Sequence, residues 1–152
     1  MKKKMYFIIV AFFIIDQFIK FLISDNMFLT ESISVIPHFF NITYVINTGG
    51  AWSIFSSKPI FLILVSILAL IVLIVYLKNQ KAFTKYEVLS YSFVIAGILG
   101  NLTDRIIRGA VVDYFDFRIF GYYFPVFNIA DVLIVIGVLI MIFETFLKER
   151  GR

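Results

Sequence analysis

The hydrophobic positions fall into four long runs, over about residues 5–24, 60–77, 86–102 and 129–147, separated by stretches where polar and turn-forming residues crowd together. A helix crosses the ~30 Å hydrocarbon layer with about 20 apolar residues, range about 17–25, and each run fits that window. None carries the 3.6-residue stripe of a soluble core helix. The pattern predicts four transmembrane helices, the third short and closing on Asn101 near the headgroups. Residues 35–46 and 110–127 are instead rich in β-branched and aromatic side chains and are bounded by turns at Gly49-Gly50 and Gly121. Those features predict short strands.

Composition sharpens the picture. The chain is 61% hydrophobic and 16% charged, with a mean hydropathy of +0.97. Soluble domains run at roughly 45–50% apolar and about 25% charged, so lipid rather than water is the expected solvent. With no cysteine, disulfides, thiolate nucleophiles and cysteine-based metal centres are excluded. The single histidine, His38, excludes multi-histidine metal sites and argues against a Ser-His triad.

The charges give the orientation. Nine of the fourteen Lys and Arg residues lie at one side: Lys2, Lys3 and Lys4, then Lys78, Lys81 and Lys85, then Lys148, Arg150 and Arg152. Lys58, Arg105, Arg108 and Arg118 lie opposite, with Lys20 inside the first span. By the positive-inside rule both termini and the 78–85 loop are cytoplasmic, and segments 25–59 and 103–127 face outward. The pI near 9.3 is thus read as topology, not as affinity for nucleic acid. Asp16, Gln17 and Lys20 interrupt the first run and no small-residue cleavage site follows, so it is expected to remain as an uncleaved span. The fold expected is an all-α integral membrane protein of four transmembrane helices with a small extracytoplasmic β-structured cap, in one domain over residues 1–152. The cap aromatics Phe115, Phe117, Phe120, Tyr122, Tyr123, Phe124 and Phe127 suit the headgroup zone, mostly as anchors.

Candidate chemistry lies at the outward helix ends, where Asp25, Glu31, Asp104, Asp113, Asp116 and Asp131 gather. Asp16 is within a span, where a charge costs about 2.5–3.5 kcal/mol on insertion scales. It stands four residues from Lys20, so neutralisation of the pair and a role near a site are both open. Asn101, Asp104 and Arg105 share one helix face, as a polar helix end at the surface would also have it, and Ala96 and Gly100 allow close helix approach. Asn128 is a good N-cap and Asp131 suits the helix dipole. Capping leaves Asp113 unexplained. If the strand-like loop folds back, Asp113 and Asp131 meet, and two close carboxylates in low dielectric share one proton. Such a pair supplies a base and an acid for hydrolysis of an amide.

Other schemes fare worse. Lys20 and Ser24 make a Ser/Lys dyad without an oxyanion site. A metal site from Asp104, Asp113, Asp116 and Asp131 lacks the spacing of a calcium loop. A non-enzymatic channel or transporter component, or a lipid-binding partner subunit, would use Asp16, Lys20 and Arg105 as a polar path and the aromatic cap as a docking surface. A conduction path needs polar groups across both leaflets, whereas these carboxylates cluster at one face.

Taken together, the blocks Asp16-Gln17-x-x-Lys20, Asn47-Thr48-Gly49-Gly50-Ala51-Trp52-Ser53, Gly97-x-x-Gly100-Asn101-x-x-Asp104-Arg105, Val111-Val112-Asp113 and Phe127-Asn128-x-Ala130-Asp131 resemble the lipoprotein signal peptidase (signal peptidase II) family, in order and spacing over the whole chain. Gly50, where the family usually has Ala, and Ile46, where many members carry a basic residue, depart from its pattern. The resemblance implies an aspartic endopeptidase of the bacterial cytoplasmic membrane with Asp113 and Asp131 as catalytic dyad and no metal or other cofactor. It implies that Asp16, Lys20, Asn47, Gly49, Asn101, Asp104, Arg105, Asn128 and Ala130 line or support the substrate site, Asp104 structurally. The implied substrates are prolipoproteins, cut before a diacylglyceryl-modified cysteine at the extracytoplasmic side. Membrane lipids are the implied surroundings, and globomycin-type cyclic peptides the implied inhibitors.

Overall fold

A computed structural model describes residues 2–50 and 58–150. The chain runs α1 (Lys2–Asn26), β1 (Ser32–Ile36), β2 (Phe40–Asn47), α2 (Pro59–Asn79), α3 (Lys85–Arg108), β3 (Val111–Ile119), β4 (Tyr122–Tyr123) and α4 (Ile129–Arg150). Ala51, Trp52, Ser53 and Arg152, used above for motif and charge, lie outside the described residues.

Among the described residues three helices, α1, α2 and α4, are long and apolar enough to cross a membrane. The third run is also helical, but it differs in kind. Lys85, Glu87, Asp104, Arg105 and Arg108 make α3 the most polar helix, and half of its residues are buried against its neighbours. Packing explains that polarity: α3 sits between α1, α2 and α4 and turns Ser90, Ser92, Asn101 and Asp104 inward. By contrast α2 buries no residue fully, leaving Ile60, Leu64, Leu68 and Val72 bare, as a lipid-facing helix does.

The third helix also outlasts its apolar run. Residues 103–108, expected in the outward segment, continue α3 until Gly109 closes it in a left-handed C-cap with φ 76°. Asp104 can remain helical because its carboxylate meets Lys20 of α1 rather than solvent. At the other end Thr84 and Glu87 form a reciprocal capping box. Gly97 sets the α3–α4 spacing, since a Cβ there would strike the Ala130 carbonyl and approach Ile134 to 2.7 Å.

The two strand-rich segments form one antiparallel sheet in the order β1-β2-β3-β4. The segment expected as a strand over 35–46 is broken at Pro37-His38-Phe39, where His38 takes φ 63° and turns β1 back onto β2. Strands β2 and β3 pair Val45 with Asp113 and Asn47 with Val111, past a bulge between Ile42 and Val45. Phe115 and Phe127 then exchange backbone hydrogen bonds (2.7 and 3.1 Å), pinning β3 to the lead-in of α4.

The cap aromatics divide accordingly. Phe40 stacks on Phe117 at 4.6 Å and Phe117 on Phe127 at 5.7 Å, forming a small core. Phe120, Tyr122 and Tyr123 stay exposed at the hairpin tip. Anchoring therefore fits the second group, while Phe115, Phe117 and Phe127 hold the sheet together.

Candidate active site

The N-terminus of α4 is the organising point. A helix begins with backbone N–H groups that have no partner within the helix, and here its own cap residues and side chains from two other elements supply them. The Asn128 N–H donates to Asp131 Oδ2 (3.2 Å), and the Asp131 N–H returns to Asn128 Oδ1 (3.0 Å). The Ile129 N–H reaches the Tyr114 hydroxyl of β3 (3.2 Å), and the Ala130 N–H reaches Asp16 Oδ1 of α1 (3.1 Å). The cap role expected of Asn128 and Asp131 is present, and it is shared with two distant residues.

The same asparagine holds a second carboxylate. Asn128 Nδ2 donates to Asp113 Oδ1 (2.6 Å), and Asn47 Nδ2 donates to Asp113 Oδ2 (2.7 Å). Asn47 is fixed in turn because its Oδ1 accepts the Gly49 N–H (3.0 Å). Asp131 Oδ1 accepts Asn101 Nδ2 (2.7 Å). Each of the four carboxylate oxygens of Asp113 and Asp131 therefore accepts one protein hydrogen bond and keeps a lone pair for a proton, water or substrate.

Behind this front lies a buried ionic cluster. Lys20 is fully buried, and its Nζ stands 3.0 Å from Asp16 Oδ2, 3.0 Å from Asp104 Oδ2 and 2.9 Å from Asn101 Oδ1. Asn101 Oδ1 also accepts Asn128 Nδ2 (3.1 Å). With two donors on its oxygen, the Asn101 amide has one orientation left, with Nδ2 toward Asp131. Lys20 thus sets the amide that Asp131 sees. Gly100 makes room for Asp16, whose carboxylate occupies the space a Cβ would take.

Asp113, Asp131, Asn47, Asn101, Arg105 and Gly50 line one cavity of about 670 Å³, otherwise walled by apolar residues including Val45, Ile46, Phe124, Val132 and Val135. Arg105 is half-buried, its Nη1 donating to the Asn101 carbonyl (3.3 Å). Burial, and then the negative charge of Asp131, push the Asp113 carboxyl up to about 7, against the pull of the Asn47 and Asn128 hydrogen bonds.

The structure brings Asp113, Asp131, Asn47, Asn101 and Arg105 to the cavity wall, and places Asp16, Lys20, Asp104, Asn128, Gly49 and Ala130 around or behind them. It does not assemble the alternatives. The Ser24 hydroxyl donates to its own helix at Phe21 O (3.1 Å), away from the ion-paired Lys20. Asp116 is held by Asn41 and Thr43 on the sheet, apart from Asp104, so the four acids form no common metal site, and no such cluster occurs among the described residues. Two participants were not anticipated. Gln17 donates to Asp16 (3.1 Å) and to the Gly100 carbonyl (3.2 Å), and its place in the polar break of the first run was the available signal. Tyr114, next to Asp113 in an aromatic-rich segment, carried no signal of its own.

Apolar helices of membrane length around a cavity walled by carboxylates define a class, the membrane-embedded aspartic peptidases. Two bacterial membrane enzymes solved by the in meso method share the fold. The one at 2.3 Å has TM-score 0.91 and 38% identity, covering 97% of this chain and 90% of that one. The one at 1.9 Å has TM-score 0.84 and 40% identity, covering 93% and 91%. The family model described as Signal peptidase (SPase) II matches residues 8–147. Proteins named lipoprotein signal peptidase from Staphylococcus aureus strains RF122 / ET3-1 and JH9 are each 42% identical over 137 residues, covering 89% of this chain and 84% of theirs. The chain belongs to the signal peptidase II family.

Proposed function

We propose that this chain is one membrane-embedded peptidase domain over residues 1–152 that removes signal peptides from prolipoproteins. It cuts before a cysteine that already carries diacylglyceryl. In this reading α3 is a fourth span, polar because protein surrounds it. The Lys-rich helix ends are cytoplasmic, and the sheet lies at the outer face of the bacterial cytoplasmic membrane. Two acyl chains hold the scissile bond near the outer interface, each buried CH₂ adding about 0.8 kcal/mol. The cavity carries its acids at that level, so the peptide need not enter deeply. Globomycin-type cyclic peptides are expected to compete for the same cavity.

The observation that carries the mechanism is the convergence of Asp113 and Asp131 on one apolar cavity, Asp113 held by the side chains of Asn47 and Asn128 and Asp131 by the Asn101 side chain and the Asn128 N–H. Asp131 sits in the first turn of α4, where the helix dipole favours an anion. Asp113 sits in the drier position and keeps the shared proton. The pair titrates as a unit. Asp131 takes a proton from a water between them as the water oxygen attacks the scissile carbonyl. Asp113 passes its proton to the carbonyl oxygen, giving a neutral gem-diol. Collapse returns a diol proton to Asp113 while Asp131 protonates the departing amine. Arg105 and Asn47 stand where they can orient the peptide.

The test is cleavage of a diacylglyceryl-modified precursor by purified protein. Asp113→Asn and Asp131→Asn should each lower the rate by at least about a hundredfold while remaining membrane-inserted. Near-wild-type turnover in either would remove the dyad.

A further inference from the structure

At the end of the bundle opposite the sheet, α1 and α3 run side by side and leave a groove of about 440 Å³ between their first turns. Its floor is Ile8, Val88 and Leu89, and its rim is Lys4, Lys85 and Tyr86. The volume falls within the roughly 300–1,000 Å³ of ligand pockets.

We propose that this groove binds one anionic phospholipid of the adjoining leaflet, with Lys4 and Lys85 on the phosphate and an acyl chain along Ile8 and Leu89. Two observations and one general rule support it. First, the positive charge is uncompensated. Among the described residues no carboxylate lies within ion-pair distance of Lys4 or Lys85, and Lys85 Nζ rests 5.0 Å from the Tyr86 ring centroid. The nearby acids are engaged elsewhere: Glu87 with Lys148 (2.7 Å), and Glu144 with Lys148 (3.4 Å) and Thr84. Second, the floor between the two lysines is apolar, formed by Ile8, Val88 and Leu89, which selects a head group that brings its own acyl chain over a free phosphate. Third, basic pockets between helices at the positively charged membrane face are where anionic head groups are held. Such a lipid would clamp α1 to α3, the two helices that contribute Asp16, Lys20, Asn101 and Asp104 to the buried ionic cluster.

The experiment is native mass spectrometry of the full-length protein in non-ionic detergent, with added phosphatidylglycerol, phosphatidylcholine or glycerol 3-phosphate. Wild type should retain one phosphatidylglycerol per chain in preference to phosphatidylcholine. Lys4→Gln/Lys85→Gln should bind it roughly thirty-fold more weakly, as expected for two lost basic contacts. Lys78→Gln/Lys81→Gln, which removes equal charge outside the groove, should bind as wild type does. All four side chains are exposed, so folding is expected to survive both exchanges. Equal loss in both double variants would overturn the site in favour of diffuse attraction. Equal retention of phosphatidylcholine would remove the role of charge, and binding of glycerol 3-phosphate as tight as that of the lipid would remove the role of the apolar floor.

Discussion

Replacing Lys20 with methionine takes away the cation on which α1, α3 and the cavity wall converge. Its ammonium touches Asp16, Asp104 and Asn101 at 2.9–3.0 Å in a fully buried setting. Arg108 lies 3.6 Å from the other Asp104 oxygen, so two cations balance two carboxylates. Without Lys20 one negative charge is left uncompensated in the interior, and stranding a buried partner in this way costs about 3–5 kcal/mol. For a chain of this size each kcal/mol moves the melting point by about 2–4 °C, so a fall of roughly 6–20 °C is expected. Thermal unfolding in detergent, followed by intrinsic fluorescence, measures it. Adding Asp16→Asn and Asp104→Asn to Lys20→Met leaves no carboxylate in the buried cluster and should recover more than half of the loss. A Lys20→Met melting point within about 2 °C of wild type, or no recovery in the triple variant, would refute the claim that the ionic cluster holds the site together.

Three further outcomes follow from the geometry. The Asp113 carboxyl is raised above its ordinary 3.8 to about 7, so its contribution to stability is present in acid and lost as pH climbs through about 7. Cleavage of a lipid-modified precursor should fall over the same limb, because the pair then holds two charges and no proton; a rate flat to pH 9 would contradict this. Gly100→Ala places a methyl group against the Asp16 carboxylate and should cost about 1–3 kcal/mol, read as a lower melting point with the helix content kept. Tyr114→Phe strands the Ile129 N–H at the start of α4, which should cost about 1–3 kcal/mol, and faster exchange should appear first at that amide in hydrogen-exchange measurements.

Much of this architecture is legible in the sequence because lipid imposes long apolar runs and because turns need particular residues. The runs at 5–24, 60–77 and 129–147 lie inside α1, α2 and α4. The third run was harder. Hydropathy stops at Asn101, but the helix continues to Arg108, because Asp104 is paired with Lys20 of α1, a contact that no local window contains. The cap was visible as β-branched and aromatic segments, yet the hairpin break at His38 and the register that seats Asp113 opposite Val45 depend on long-range pairing. For the site, Asp113 and Asp131 could be singled out as acids lacking a complete local explanation. The Lys20–Asp16 pair is legible in its four-residue spacing, but the contacts of Lys20 with Asn101 and Asp104 join α1 to α3, and spacing along either helix alone does not reveal them.

The junction at the head of α4 makes attachment and chemistry inseparable: the hydrogen bonds that dock this helix are the ones that aim the acids. On the proposed mechanism, an inhibitor that engages Asp113, Asp131 and their asparagines would address positions where drug-resistant replacements are expected to disturb the docking of α4 as well. Escape is left to the greasy rim at Val45, Ile46 and Val135, whose side chains carry no polar group, and compounds that lean least on that rim should keep their potency longest.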